Sequence, residues 1–237
     1  MGESYPRRDQ ARGLWNIKTI TNNIIEEGTY PQTSNQNTAI YGGGDAPSTV
    51  TTIDTVQINT TGNATDFGDL IAAASNPGAN GSFIRGIYSN GYVSGSNTNT
   101  IQYVHFKSQG NMADFGDSTI SGRARSGGGN NIRSIYGGGF VSGNVNTIDF
   151  ITNATTGNAT DFGDRTESRN TVGGAANTTR FLMAGGSSPS TTIDFVEISS
   201  TGNAVDFGDL TAARLSAQAF ASATRCVFAG GQPAATV

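Results

Sequence analysis

The sequence predicts an all-β protein assembled from tandem copies of one unit. Three observations carry that expectation. The tetrapeptide Asp-Phe-Gly-Asp occurs four times, beginning at Asp66, Asp114, Asp161 and Asp206, at intervals of 48, 47 and 45 residues. Upstream of each lies an apolar run, opening at Ile53, Ile101, Ile148 and Ile193 with the same three intervals. Between run and tetrapeptide sits a Gly-Asn pair: Gly62-Asn63, Gly110-Asn111, Gly157-Asn158 and Gly202-Asn203. Markers in fixed order at a near-constant period are the signature of a repeat architecture. No segment of the repeat spaces its apolar residues as a helix would.

Each unit reads as four short strands. The first covers about 51–58, 98–106, 146–152 and 190–198 in the four copies, and its Ile, Val, Thr and Phe suit a pleated strand. Both alternating faces are apolar, with Ile193 and Phe195 on one and Val196 and Ile198 on the other, so the strand is expected to be covered on both sides. The Gly-Asn pair follows as a hairpin turn, since it tolerates positive φ. The stretch leading into Asp-Phe then returns as the second strand, ending at Gly-Asp. A third strand holds little bulk, as in 170–177 and 216–223, which suits the innermost, most crowded position of stacked sheets. The fourth is of the type Arg225-Cys226-Val227-Phe228, stopped by glycines. Its marker appears five times, at Tyr41, Tyr88, Tyr136, Met183 and Phe228.

Composition agrees with a folded, non-catalytic chain. The 237 residues can bury a sizeable core. With 33 Gly and few charges the chain could be a linker, but 35% of residues are hydrophobic and recur in β-branched runs, which argues against disorder. A net charge of −4 does not suit a nucleic-acid surface. The single cysteine, Cys226, excludes an intrachain disulfide framework and a thiolate cluster, and reads as a small buried hydrophobe. His105, the lone histidine, takes a polar strand position. The first residues lack the apolar core of a signal peptide, and no apolar run reaches the ~20 residues of a membrane helix. A soluble intracellular or virion protein is expected, without cofactor or membrane insertion.

Two columns of side chains stand out. Arg85, Arg133, Arg180 and Arg225 each lie three residues before the Tyr/Met/Phe marker. Asp54, Asp149 and Asp194, with Gln102 in the same place, form the second. Adjacent strands bearing Arg and Asp are expected to pair within a sheet, as a structural contact repeated in each unit. The functional alternative is a ring of arginines binding anionic sugars. The carboxylates of Asp66, Asp114, Asp161 and Asp206 could be read as Ca²⁺ ligands, but two carboxylates per turn fall short of the six to eight oxygens Ca²⁺ takes. They are expected to cap the backbone of their own turns.

In order, the unit runs Arg, small strand, aromatic-Gly-Gly, loop, Ile-Asp-aromatic-Val, turn, aromatic. This resembles the kelch repeat of β-propellers. In the last two units Met183-Ala184-Gly185-Gly186 follows Arg169, and Phe228-Ala229-Gly230-Gly231 follows Arg214, both by 14 residues. Ala74 and Gly122 replace the Arg in earlier units, and Phe67, Phe115, Phe162 and Phe207 stand where kelch repeats carry Trp. The stretch TIDFVEISSTGNAVDFGDLTAAR looks like the kelch-like repeats of structural proteins in marine tailed bacteriophages. The resemblance covers residues 36–237 and implies a small propeller of four or five blades. An open stack, as a β-solenoid or trimeric fibre shaft, is the alternative.

Residues 1–35 lie outside the repeat. Leu14, Ile17, Ile20 and Ile24 fit one helix face, with Asp9 as N-cap and Gly28-Thr29-Tyr30-Pro31 as a stop. The pattern ARGLWNIKTI…GTYP resembles lead segments of phage tail and fibre proteins. It implies an attachment arm in which Leu14, Trp15 and Ile17 engage another virion protein; the other reading is a terminus packed on the repeats. Taken together, the resemblances imply a non-enzymatic virion protein of tail, tail fibre or capsid decoration. Its expected partners are other virion proteins and further copies of itself, with host-surface glycans as a further possibility. A glycan-binding lectin-like propeller and a cellular protein-interaction propeller are the alternatives.

Overall fold

The computed structural model describes residues 37–45 and 47–233. The expected arm, with Leu14, Trp15 and Ile17, lies outside the described residues. Within them the fold is all-β, with no helix, and its strands form several antiparallel sheets.

The first sheet is β1 (Thr38–Gly42), β2 (Thr52–Gln57) and β3 (Thr65–Asp69). The second holds β4 (Ala74–Ser75), β5 (Gly78–Gly81), β6 (Arg85–Val93), β7 (Ser96–His105) and β8 (Ala113–Gly122). The third is β9 (Ser126–Gly129), β10 (Arg133–Gly137), β11 (Thr147–Thr152) and β12 (Thr160–Asp164). The fourth is β13 (Gly173–Ala176), β14 (Arg180–Ala184), β15 (Ser190–Glu197) and β16 (Val205–Leu215). A half-sheet of β17 (Gln218–Ala221) and β18 (Cys226–Ala229) follows, and β19 (Gln232–Pro233) pairs with the end of β16. The long strands expected from the Ile/Val/Thr runs are β2, β7, β11 and β15. The second, third and fourth sheets each combine the last two strands of one sequence unit with the first two of the next, so the folding unit is offset by half a repeat from the unit read in the sequence.

The small residues are required by close approach. Strands β5, β9, β13 and β17 are edge strands lying against one another in succession. A Cβ on Gly127 would come within 2.3 Å of the Ala79 carbonyl oxygen, and one on Gly173 within 2.8 Å of that of Ala217. Just before these strands Asn76, Ala124, Thr171 and Ser216 all take left-handed φ, between 52° and 56°. The strain this costs a residue with a Cβ accompanies a backbone ladder. Ala124 N–H donates to Asn76 C=O (2.9 Å), Thr171 N–H to Ala124 C=O (3.0 Å) and Ser216 N–H to Thr171 C=O (3.1 Å).

Asp-Phe-Gly-Asp lies in the returning strand, as expected: it ends β3 and β12, while β8 and β16 continue beyond it. In all four copies the register slips within the motif: Ile148 faces Gly163 while Asp149 faces Asp161, which leaves Phe162 without a partner. The same slip occurs at Phe67, Phe115 and Phe207. Such a β-bulge kinks the strand and re-aims one residue. Here the re-aimed phenylalanine packs against the following sheet. Phe67 shares a core with Val104 and Met112, Phe115 one with Ile151 and the adjoining Ala159, and Phe162 one with Ile198 and the adjoining Ala204. Each of the three apolar cores therefore lies between two successive sheets.

Candidate functional site

The residues that the sequence singled out converge on the seams between successive sheets, and each seam is built to one plan. The bulge frees the Phe carbonyl from its own sheet, and the Gly-Asn segment of the next repeat takes it up. Gly110 N–H donates to Phe67 C=O at 2.9 Å and Met112 N–H to Asp69 C=O at 2.8 Å. Gly157 and Ala159 donate likewise to Phe115 and Asp117 at 2.7 Å each; Gly202 and Ala204 donate to Phe162 and Asp164 at 2.7 and 2.8 Å. In return the Asn Oδ1 accepts from the backbone N–H of the second Asp: Asn111 from Asp69 (3.1 Å), Asn158 from Asp117 and Asn203 from Asp164 (3.0 Å each). The Gly-Asn pair is thus a docking segment. The hairpin turn lies before it, closed by bonds such as Ser108 N–H to His105 C=O (3.1 Å).

The first Asp of three tetrapeptides does cap its own strand backbone. Asp66, Asp114 and Asp206 each accept from the N–H two residues on, at 3.2 Å. Asp161 has no such bond. Among the described residues no group of three or more His, Cys, Asp or Glu side chains is placed to hold a metal ion.

The Arg and Asp columns do not pair with each other, and the expected partnership is corrected. Across the strands Arg133 faces Thr152 and Arg180 faces Glu197, whereas Asp149 and Asp194 face Tyr136 and Met183. The three-residue offset between Arg and marker places them at different levels of the sheet. Three of the four arginines instead lie over the ring of the neighbouring strand: Arg85 over Tyr103 (4.7 Å), Arg133 over Phe150 and Arg180 over Phe195 (4.6 Å each). Arg85 and Arg133 also reach the next sheet, donating to the carbonyls of Asn153 (2.6 Å) and Ile198 (2.9 Å). Arg180 pairs with Glu197 at 2.7 Å, both half exposed. Arg225, just before β18, is exposed, and among the described residues it lies over no ring.

The aspartates are buried with other arginines. Asp149 and Arg125 are both fully buried and 2.8 Å apart. Arg125 further donates to the carbonyls of Gly138 (3.0 Å) and Tyr136 (2.8 Å), and to Ser118 Oγ (2.7 Å). Asp149 Oδ2 accepts from the Ser118 and Thr119 hydroxyls (2.7 Å each) and the Thr119 N–H (3.0 Å), all on the preceding sheet. Burial alone would raise the Asp149 carboxyl; the Arg125 charge and these donors outweigh it and hold the group below the usual carboxylate range. At the next seam Asp194 pairs with Arg165 at 3.0 Å and accepts from the Thr166 N–H and hydroxyl at 3.1 and 2.9 Å. At the first seam Leu70 and Pro77 stand where Arg165 and Arg125 do, and the acceptor is the neutral Gln102, bonded by Ile71 N–H at 2.8 Å. Within these three seams the acceptor carries charge only where a cation accompanies it.

Sequence reasoning missed Arg125 and Arg165 because they occupy unrelated positions in the repeat and form no column. Arg169 and Arg214, which carry the kelch resemblance, donate to Ser187 C=O and Gly230 C=O at 2.9 Å, tying the strand entrance to the glycine stop. Cys226 is half-buried rather than buried, and burial raises its thiol. No protein-family model matches the chain, and no curated protein is similar enough to count as a relative.

Proposed function

We propose that the chain is a non-enzymatic structural protein of a bacteriophage virion, in a tail, tail fibre or capsid-decoration position. Its kelch-like sheets would form a small propeller or a fibre segment, and residues 1–35, through Leu14, Trp15 and Ile17, would attach it to another virion protein. One observation carries this reading: the polar groups that recur with the repeat are taken up in joining sheet to sheet. At the three interior seams the bulge carbonyls and the Gly-Asn segments bond to each other, and the buried Asp149 and Asp194 bond across from sheet to sheet. Such a pattern serves a rigid scaffold, and the resemblance to phage repeats supplies the setting. Host-surface attachment would then fall to loops that differ between copies.

Mass spectrometry of purified virions tests the reading directly; the chain is expected as a stoichiometric component. Deleting residues 1–35 should leave the repeats folded, by circular dichroism, and abolish incorporation. A chain absent from virions but retained on a glycan array would replace the virion reading with a lectin.

A further inference from the structure

The seam is built three times inside the chain, and each end of the stack presents one half of a fourth. At the trailing end, Phe207 is 54% exposed, whereas its counterparts Phe67, Phe115 and Phe162 are at 4%, 3% and 2%. Among the described residues, Phe207 and Asp209 make none of the seam bonds of their counterparts. A Cβ on Gly208 would meet nothing within 4 Å, while one on Gly68, Gly116 or Gly163 would strike the backbone of the next repeat. At the leading end, Ile58 is 65% exposed where Ile198, its counterpart, is at 1%. Among the described residues, Gly62, Asn63 and Ala64 make none of the bonds that the other three docking segments make.

We propose that these two faces bind each other between copies of this chain: the β2–β3 hairpin of a second copy seats on the trailing face of the fourth sheet. The contact continues an interface already present three times. Gly62 and Ala64 donate to the Phe207 and Asp209 carbonyls, Asp209 N–H donates to Asn63 Oδ1, and Ile58 covers Phe207. Arg180, paired meanwhile with Glu197, corresponds to Arg85 and Arg133, and the carbonyl it would reach is that of Ile58 in the second copy. Asp54 falls opposite Thr211, as Asp194 does opposite Thr166. Leu210 stands where Arg165 supplies the cation, so this joint is weaker than the two interior ones that hold an ion pair.

The half-sheet β17–β18 supplies the two strand positions that precede such a hairpin. The incoming sheet brings β1, the counterpart of β18, and either strand can fill that position without moving the hairpin. Because the two faces differ, the contact is head-to-tail: it leaves one open face at each end of a dimer and propagates into a ring or a filament. The inference rests on the repeat geometry and is independent of the virion reading.

Sedimentation velocity of the 237-residue chain up to ~100 μM, above the micromolar end of the Kd range for interfaces of standard size, provides the test. Species larger than the monomer should grow with concentration. Phe207→Asp and Ile58→Asp each spoil one face, so each variant alone should sediment as a monomer with an unchanged melting temperature. An equimolar mixture should give a dimer and nothing larger, because each variant keeps one sound face. A monomeric wild-type chain, a mixture that stays monomeric, or a single variant that still assembles overturns the proposal. A monomeric wild type whose melting temperature falls on either substitution shows instead that one chain closes on itself.

Discussion

Asn158 Oδ1 accepts the backbone N–H of Asp117 at 3.0 Å, although 41 residues separate them and they belong to different sheets. A side chain on one repeat thus satisfies the backbone of the one before it. Asn158→Ala removes that acceptor. The site is exposed, so the expected loss is at the low end of a hydrogen bond's net contribution, about 0.5–1 kcal/mol in urea unfolding. Asn63→Ala, at the end of the stack, should leave the stability of the monomer unchanged.

Gly116 and Gly208 share an unusual backbone, with φ of 141° and 135°, so an alanine strains both alike. Only at Gly116 would the new Cβ also strike the next repeat, 2.5 Å from the Gly157 carbonyl. Gly116→Ala should therefore cost about 1–3 kcal/mol more than Gly208→Ala, the usual cost of overpacking. Equal losses in chemical denaturation would mean that the seam tolerates separation.

Breaking the Arg125–Asp149 pair on one side leaves a buried charge uncompensated. Arg125→Ala and Asp149→Asn should each destabilise by about 3–5 kcal/mol, and the double variant by less than their sum. The pH dependence follows from the depressed Asp149 carboxyl. Its stabilisation is present in full above the unfolded value of ~3.9 and is lost as pH falls through the lower folded value. The stability gap between wild type and Asp149→Asn should accordingly narrow below about pH 4.

Arg133 and Arg180 hold the same place in the repeat with different partners. Arg133→Ala loses a ring contact and a bond to the Ile198 carbonyl, and should cost about 1–2 kcal/mol. Arg180→Ala loses an exposed ion pair and a ring contact, and should cost under about 1 kcal/mol. Asp194→Asn should be non-additive with Arg165→Ala and additive with Arg180→Ala in thermal unfolding.

The strands were legible because their causes are local. Ile53, Ile101, Ile148 and Ile193 mark β-branched runs that prefer a pleated strand in any context, and the glycines of β9 and β13 announce crowding. The bulge and the docking segment were not legible. Gly-Asn is as suited to a hairpin turn as to close approach by a neighbouring backbone, and only the neighbour decides between them. Asp-Phe-Gly reads as the end of the returning strand, as β12 has it, but nothing local announces the slip of register that leaves Phe162 to the next core. The Arg–Asp pairing failed for a related reason. Spacing gives the level of a residue along its own strand, whereas Asp149 and Asp194 are neutralised by arginines entering from outside their strands.

Gln102 in place of aspartate has a mechanical meaning. Sheets joined only to their neighbours carry an axial load in series, so the extension at which the stack fails is set by its softest joint. All three interior joints share the backbone bonds of the bulge, but two add a fully buried ion pair, where the first has only the neutral Gln102. Pulled from its two ends, the folded stack should yield there first and shed the β1–β3 sheet as one piece, with the remainder still folded and able to bear tension.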